Sequence, residues 1–256
     1  MGLTEELSVP VDELSVPSPF DFPNAAILYT PRDLPEATDY AFVPQAADRI
    51  ADLVAITGGG AFVLCTSLRG MSALADALKT RLDLPPLVQG TAPKTALLSR
   101  FRAHKDAVLV ATMSFWEGVD VPGEALRLVI IEKIPFAVPT DPIVAARCAA
   151  IEREGGNPFV AYSVPQAAIT LKQGFGRLIR TRSDRGIVAI LDKRVKTRGY
   201  GKTLLASLPP ARRTEQIEEV RAFWGAIGGR GSRPPSSAPP PPPDDASRRQ
   251  RSLFDD

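Results

Sequence analysis

The chain is poor in the residues that build metal and redox chemistry. Among 256 residues it carries one histidine and two cysteines. Two thiols are too few for a four-thiolate iron–sulfur site. His104 has no second histidine for a zinc motif and no nucleophile elbow beside it, so it reads as a surface residue at a helix end. Cys65 closes an apolar run and Cys148 sits in an Ala-rich helical pattern, and both read as buried, reduced thiols. No apolar run reaches the roughly 20 residues of a membrane span, and the N-terminus lacks a signal-peptide pattern. The expectation is a cytoplasmic protein without membrane or metal. Charge of one sign is missing too: 31 Lys and Arg stand against 29 Asp and Glu, a net +2 that predicts no partner. The phosphate cradle G-x-x-x-x-G-K-[ST] is absent. Gly201-Lys202-Thr203 imitates its end, but Lys196 stands where the first glycine belongs, so this stretch reads as a helix-entry turn.

What is present alternates. Apolar runs suited to buried parallel strands recur at Ala26–Tyr29, Ala61–Cys65, Leu87–Val88, Ala107–Ala111, Leu128–Glu132 and Ile187–Leu191. Helical patterns separate or follow them at Gln45–Ile56, Met71–Leu82, Lys94–Ala103, Pro142–Arg153, Gln166–Arg180 and Thr214–Ile227. Such alternation predicts an α/β domain, a mostly parallel sheet with helices on both faces. The domain is expected over residues 20–227, with residues 1–19 as the end of a preceding lobe plus linker. Residues 228–256 hold seven prolines, five consecutive at Pro239–Pro243, and predict a disordered tail.

The charge is unevenly placed. From Lys172 to Lys202 ten Lys or Arg meet only Asp184 and Asp192, a local field suited to phosphates. On a helix over Gln166–Arg180, the side chains of Gln166, Gln173, Arg177 and Arg180 fall within an arc of about 60°. Ala167, Ala168, Leu171, Phe175, Leu178 and Ile179 take the opposite side. Gly174 and Gly176 each weaken such a helix by about 1 kcal/mol, a cost that suits close approach of another chain or a phosphate. A solvated basic face is the plainer reading of this stripe taken alone.

Gln173, Gly176, Arg177 and Arg180 form Q-x-x-G-R-x-x-R, which resembles motif VI of superfamily 2 helicases. The segment SFWEGVDVPGEALRLVIIEKIPFAVPTDP resembles motif V and its sequel in the DinG branch of the DinG/XPD helicases. SPFDFPNAAILYTPRDLP at Ser18–Pro35 and the motif IV stretch FVLCTSLRGMSALADAL at Phe62–Leu78 resemble the same family. The likeness runs in order from about Gly2 to Leu208, and four blocks in order are far more specific than any one.

The resemblance implies the C-terminal RecA-like lobe of a two-lobe, ATP-dependent DNA helicase acting in replication or repair. It implies Arg180 as arginine finger, Arg177 as a second phosphate or interface contact, and Gln173 as a sensor of the γ-phosphate or attacking water. Glu117, Gly118 and Asp120 would couple this ATP site to motif V, Asp120 pairing with a motif VI arginine. Thr66 and Ser67, with Thr112 and Ser114, would hold the backbone of single-stranded DNA at strand ends. Phe115 and Trp116 fit a stacking platform but read more simply as core. ATP and magnesium would sit mainly on a first lobe that this sequence lacks, as would any iron–sulfur cluster, leaving the chain alone without ATP turnover. The sequence then reads as cut near the end of that lobe. A nucleic-acid-binding accessory protein without motor, or one chain of a split motor, are the rival readings. Finally, Gln250, Ser252, Leu253 and Phe254 fit the pattern Q-x-[SD]-L-F, which resembles the peptide that docks on the bacterial sliding clamp.

Overall fold

A computed structural model describes residues 18–116, 119, 121, 125–181 and 183–227. Five of its strands are short apolar runs buried on both sides, β1 (Ala26–Tyr29), β2 (Ala61–Cys65), β4 (Val108–Thr112), β5 (Leu128–Ile131) and β6 (Gly186–Ile190), while the edge strands are the half-buried β3 (Leu87–Val88) and the polar β7 (Arg212–Thr214). They form one sheet in the order β3-β4-β2-β5-β6-β1-β7, every pairing parallel. The expected mostly parallel sheet is thus wholly parallel among the described residues.

Side-chain alternation along each strand divides the core in two. Phe62, Leu64, Leu109, Val129, Ile131, Val188 and Ile190 point to one face. There they meet α4 (Lys94–Ala103), α7 (Val164–Gly176) and α9 (Gly201–Ser207). Ile27, Val63, Cys65, Val110, Ile130 and Ala189 point to the other, under α2 (Phe42–Thr57), α3 (Leu68–Leu78) and α10 (Ile217–Ala226). Short helices α1 (Phe22–Ala25), α5 (Met113–Trp116) and α8 (Arg194–Thr197) mark joins. Helix α6 (Pro142–Arg153) has no buried residue and ends in a turn through Gly155, after which a π-helical turn at Phe159–Ser163 leads into α7. Cys148 lies on α6 and is half-buried, whereas Cys65 is buried as expected.

Two glycines are dictated by contact rather than flexibility. A Cβ on Gly201 would lie 2.0 Å from the Val195 carbonyl oxygen, so α9 can enter against α8 only with glycine there. A Cβ on Gly186 would meet the Leu178 side chain at 2.6–2.7 Å, so the first residue of β6 must be bare for Leu178 to seat. That contact also fixes where α7 delivers the chain. Helix α7 lies between parallel neighbours β5 and β6, so it returns from the carboxyl edge of the sheet to its amino edge.

Candidate functional site

The helix expected over Gln166–Arg180 stops at Gly176. Arg177 is its C-cap, and beyond it the chain leaves the helix direction before β6 begins at Gly186. The carboxylate of Asp184 causes the turn. Its Oδ2 accepts the backbone N–H of Arg180 and of Thr181, both at 2.8 Å, while its Oδ1 accepts the Thr181 hydroxyl at 2.7 Å. Asp184 is 8% exposed, so these three bonds replace its water. The turn keeps Gln173, Arg177 and Arg180 together although the helix does not, and Gln166 is left behind on α7. With Phe20, Gly176 and Ile179 the three line an open recess of about 740 Å³.

Both arginines converge on one atom. The Val119 carbonyl accepts Arg177 Nη1 at 2.6 Å and Arg180 Nη2 at 3.0 Å. Arg180 Nε also donates to the Arg177 carbonyl at 3.3 Å, which turns its fork toward Arg177. Two always-charged guanidinium groups side by side, with an amide next to them, supply the fixed donor geometry that phosphate oxygens accept. The residues present therefore fit the phosphates of a nucleotide. The described residues lining the recess include no carboxylate, the ligand that magnesium takes. Glu117, Gly118 and Asp120 lie outside the described residues.

The other expected residues stand at the carboxyl edge. Thr112 ends β4, and its backbone N–H and hydroxyl both reach Gln89 Oε1, at 2.8 and 2.9 Å. Its Oγ1 is 2.9 Å from the Ser114 hydroxyl on α5. Because Thr112 donates to Gln89, the Ser114 hydroxyl is the donor in that pair, and the order Ser114 to Thr112 to Gln89 follows. At the end of β2, Ser67 caps α3 by accepting the Gly70 N–H at 3.1 Å. The Thr66 N–H faces Glu132 Oε2 at 3.5 Å. Glu132 is 1% exposed and is neutralised by Lys133 at 3.0 Å, whose ammonium lies 5.3 Å from the centre of the Phe42 ring. Burial and this carboxylate together push the Cys65 thiol up, leaving it inert. Phe115 is buried with the Lys94 ammonium over its ring, a core position. Sequence reasoning missed Gln89, Glu132 and Asp184, because each acts through a fold-made contact that no local spacing encodes.

These motifs belong to two ends of one sheet, joined by the segment from Thr112 past Val119 to Leu128. Residues 50–211 match the helicase C-terminal domain family. The chain belongs to that family. It is 45% identical over 212 residues to the ATP-dependent DNA helicase YoaA of Escherichia coli (strain K12), covering 83% of this chain and 33% of that protein. It is 41% identical over 222 residues to the ATP-dependent helicase DinG of Mycobacterium tuberculosis (strain H37Ra), covering 86% of this chain and 33% of that one. The chain thus spans about a third of the length of these curated relatives. An XPD helicase structure superposes with a TM-score of 0.57 at 20% identity, over 74% of this chain and 36% of the other, which shows the shared RecA-like fold. Among the described residues no helix is long and apolar enough to cross a membrane, and no group of three or more His, Cys, Asp or Glu is placed to hold a metal ion.

Proposed function

We propose that this chain is the C-terminal motor lobe of an ATP-dependent DNA helicase working in replication or repair, and that its amino-edge recess completes an ATP site. The observation that carries the reading is the convergence of Arg177 and Arg180 on the Val119 carbonyl beside Gln173. ATP, when bound between two lobes, supplies a phosphoryl group whose oxygens gain charge as its bond to the leaving group loosens. Arg180 would act as arginine finger on those oxygens and Arg177 as a second contact, while Gln173 orients water or senses the γ-phosphate. Magnesium would be held by the first lobe. Glu117, Gly118 and Asp120 lie in the connecting segment and would carry the coupling. Thr66, Ser67, Thr112 and Ser114 would form part of the single-stranded DNA track. In the tail, Leu253 and Phe254 would anchor in a clamp groove with Gln250 and Ser252 beside them, the same Q-x-[SD]-L-F pattern.

The test is ATP hydrolysis with single-stranded DNA, measured on this chain alone and with a P-loop lobe of a relative supplied. The chain alone should be silent, since it has no cradle for the β- and γ-phosphates. Hydrolysis should appear on complementation and vanish with Arg180→Ala. Robust DNA-stimulated turnover by the chain alone would overturn the assignment. A synthetic Arg248–Asp256 peptide should bind sliding clamp with micromolar affinity, and Leu253→Ala with Phe254→Ala should abolish binding.

A further inference from the structure

Three aromatic rings meet outside both clusters of motif residues. Phe136 follows β5, Phe159 opens the π-helical turn, and Tyr200 precedes α9. Their centroids lie 5.2 Å (Phe136–Phe159), 5.5 Å (Phe136–Tyr200) and 5.2 Å (Phe159–Tyr200) apart, both Tyr200 contacts being edge-on. Phe136 and Tyr200 are half-buried against the core, and Phe159 braces on both as the most exposed of the three. Phe159 remains 40% exposed and its neighbour Val160 64%. Leaving Phe159 and Val160 open beside two seated rings forgoes burial energy, and exposed apolar surface of this kind marks a binding site.

The position and rim of the patch select the occupant. Phe136 and Tyr200 follow the carboxyl ends of β5 and β6, and β5 pairs directly with β2, which ends at Thr66 and Ser67. Counting β4, β2, β5 and β6 at about 4.8 Å per strand, the motif V hydroxyls and the aromatic cluster span roughly 14 Å of one edge. Exposed Arg198 and Lys202 flank Tyr200, whose hydroxyl faces the charges of Arg194 and Arg198 as well as those of Asp192 and Glu36. An apolar protein partner would meet these charges as an unmatched rim. A single-stranded nucleic acid brings a base for the rings and a phosphate for the cations.

We infer that Phe136, Phe159 and Tyr200 form a base-stacking platform for single-stranded nucleic acid, with Arg198 and Lys202 on the adjacent phosphates. The inference rests on reading the carboxyl edge as a nucleic-acid track. Stacking is indifferent to base identity, because every base has a π-face, and the platform would hold a strand without reading its sequence.

The test compares binding of labelled oligothymidylate with that of an abasic oligonucleotide of equal length and charge, using the full chain. The native chain should prefer the base-bearing strand by about five- to a hundredfold per stacked base. Phe159→Leu keeps the apolar volume at a partly exposed site, and Tyr200→Leu is the second variant. Each should erase most of that preference and leave the abasic affinity unchanged. Equal native binding to both strands, or a preference that survives both substitutions, overturns the platform while sparing the track. Binding to neither strand overturns track and platform together. A concentration-dependent self-association lost in Phe159→Leu, with the strand preference intact, assigns the patch to protein contact instead.

Discussion

The Arg180 guanidinium donates to the Val119 carbonyl at 3.0 Å, joining residues 61 apart in sequence. Val119 belongs to the segment that leaves Thr112 at the carboxyl edge and reaches Leu128 at the amino edge. One short connection therefore touches both the strand-end hydroxyls and the paired arginines. On the proposed function, single-stranded DNA at one edge and nucleotide at the other would meet this one connection, with the Val119 carbonyl against both arginines.

The first prediction concerns the fork itself. In a two-lobe protein carrying this lobe, Arg180→Ala and Arg180→Lys should both lower turnover by on the order of 10³–10⁵. Lysine keeps the charge but has no planar fork to share between Val119 and a phosphate. ATP affinity should change far less, since the finger acts on charge that develops during transfer. Retention of more than about a tenth of native turnover by either variant sinks the finger assignment.

Asp184 offers a test of the turn that carries the arginines. Asp184→Ala strands the N–H groups of Arg180 and Thr181 and should cost about 2–4 kcal/mol of stability by urea unfolding. Asp184→Asn keeps one acceptor for the two backbone donors and should cost clearly less. Equal loss in both variants would mean that the negative charge, not the acceptor geometry, holds the turn.

The fold was legible because a wholly parallel sheet buries its strands on both sides, and such strands read as plain apolar runs. Ala26–Tyr29, Ala61–Cys65 and Leu87–Val88 are observed as expected. Strand β7 was not legible: Arg212 and Arg213 are exposed on an edge strand, and the charge that protects such an edge hides it from hydrophobic pattern. The end of α7 was misplaced for a different reason. The apolar period continues through Leu178 and Ile179, but Asp184 captures the backbone amides of Arg180 and Thr181, and that capture is made only once the turn exists. Among site residues, Gln173, Arg177 and Arg180 line one recess through the Asp184 turn rather than through the helical face their spacing implied, which loses Gln166, and Gln89 meets Thr112 only because β3 pairs with β4.

Gln89 supplies the third prediction. Its Oε1 receives both donors of Thr112, which is 8% exposed. Gln89→Ala leaves these donors without their acceptor and should cost about 1–3 kcal/mol in thermal or urea unfolding. Gln89→Glu retains an acceptor at the same reach and should recover most of that loss. In single-stranded DNA binding, Gln89→Ala should weaken affinity because the Thr112 hydroxyl that receives Ser114 loses the acceptor that fixes its own direction. Unchanged stability in Gln89→Ala would show that water replaces the amide at no cost.

The last prediction is a dependence on high pH. Tyr29 ends β1 with its ring buried, and its hydroxyl accepts Arg49 Nη1, while Arg49 also holds Asp33 at 2.6 Å. Burial disfavours the phenolate more than Arg49 stabilises it, so the hydroxyl is pushed up to about 12 from its usual 10. The unfolded chain releases this proton near pH 10 and the folded chain does not, so the folded state binds more protons in between. Stability from this group is complete below pH 10 and falls as pH rises toward 12, by an amount on the order of 2–3 kcal/mol. Asp33 works in the opposite direction. The Arg49 hydrogen bond lowers its carboxyl below the usual range, so its contribution is present above about pH 4 and is lost in acid. Urea midpoints from pH 9 to 12 should therefore drop more steeply for the native chain than for Tyr29→Phe, whose phenyl ring has no proton to lose. Parallel pH profiles for the two proteins would show that the Tyr29 hydroxyl titrates as freely in the fold as in the unfolded chain.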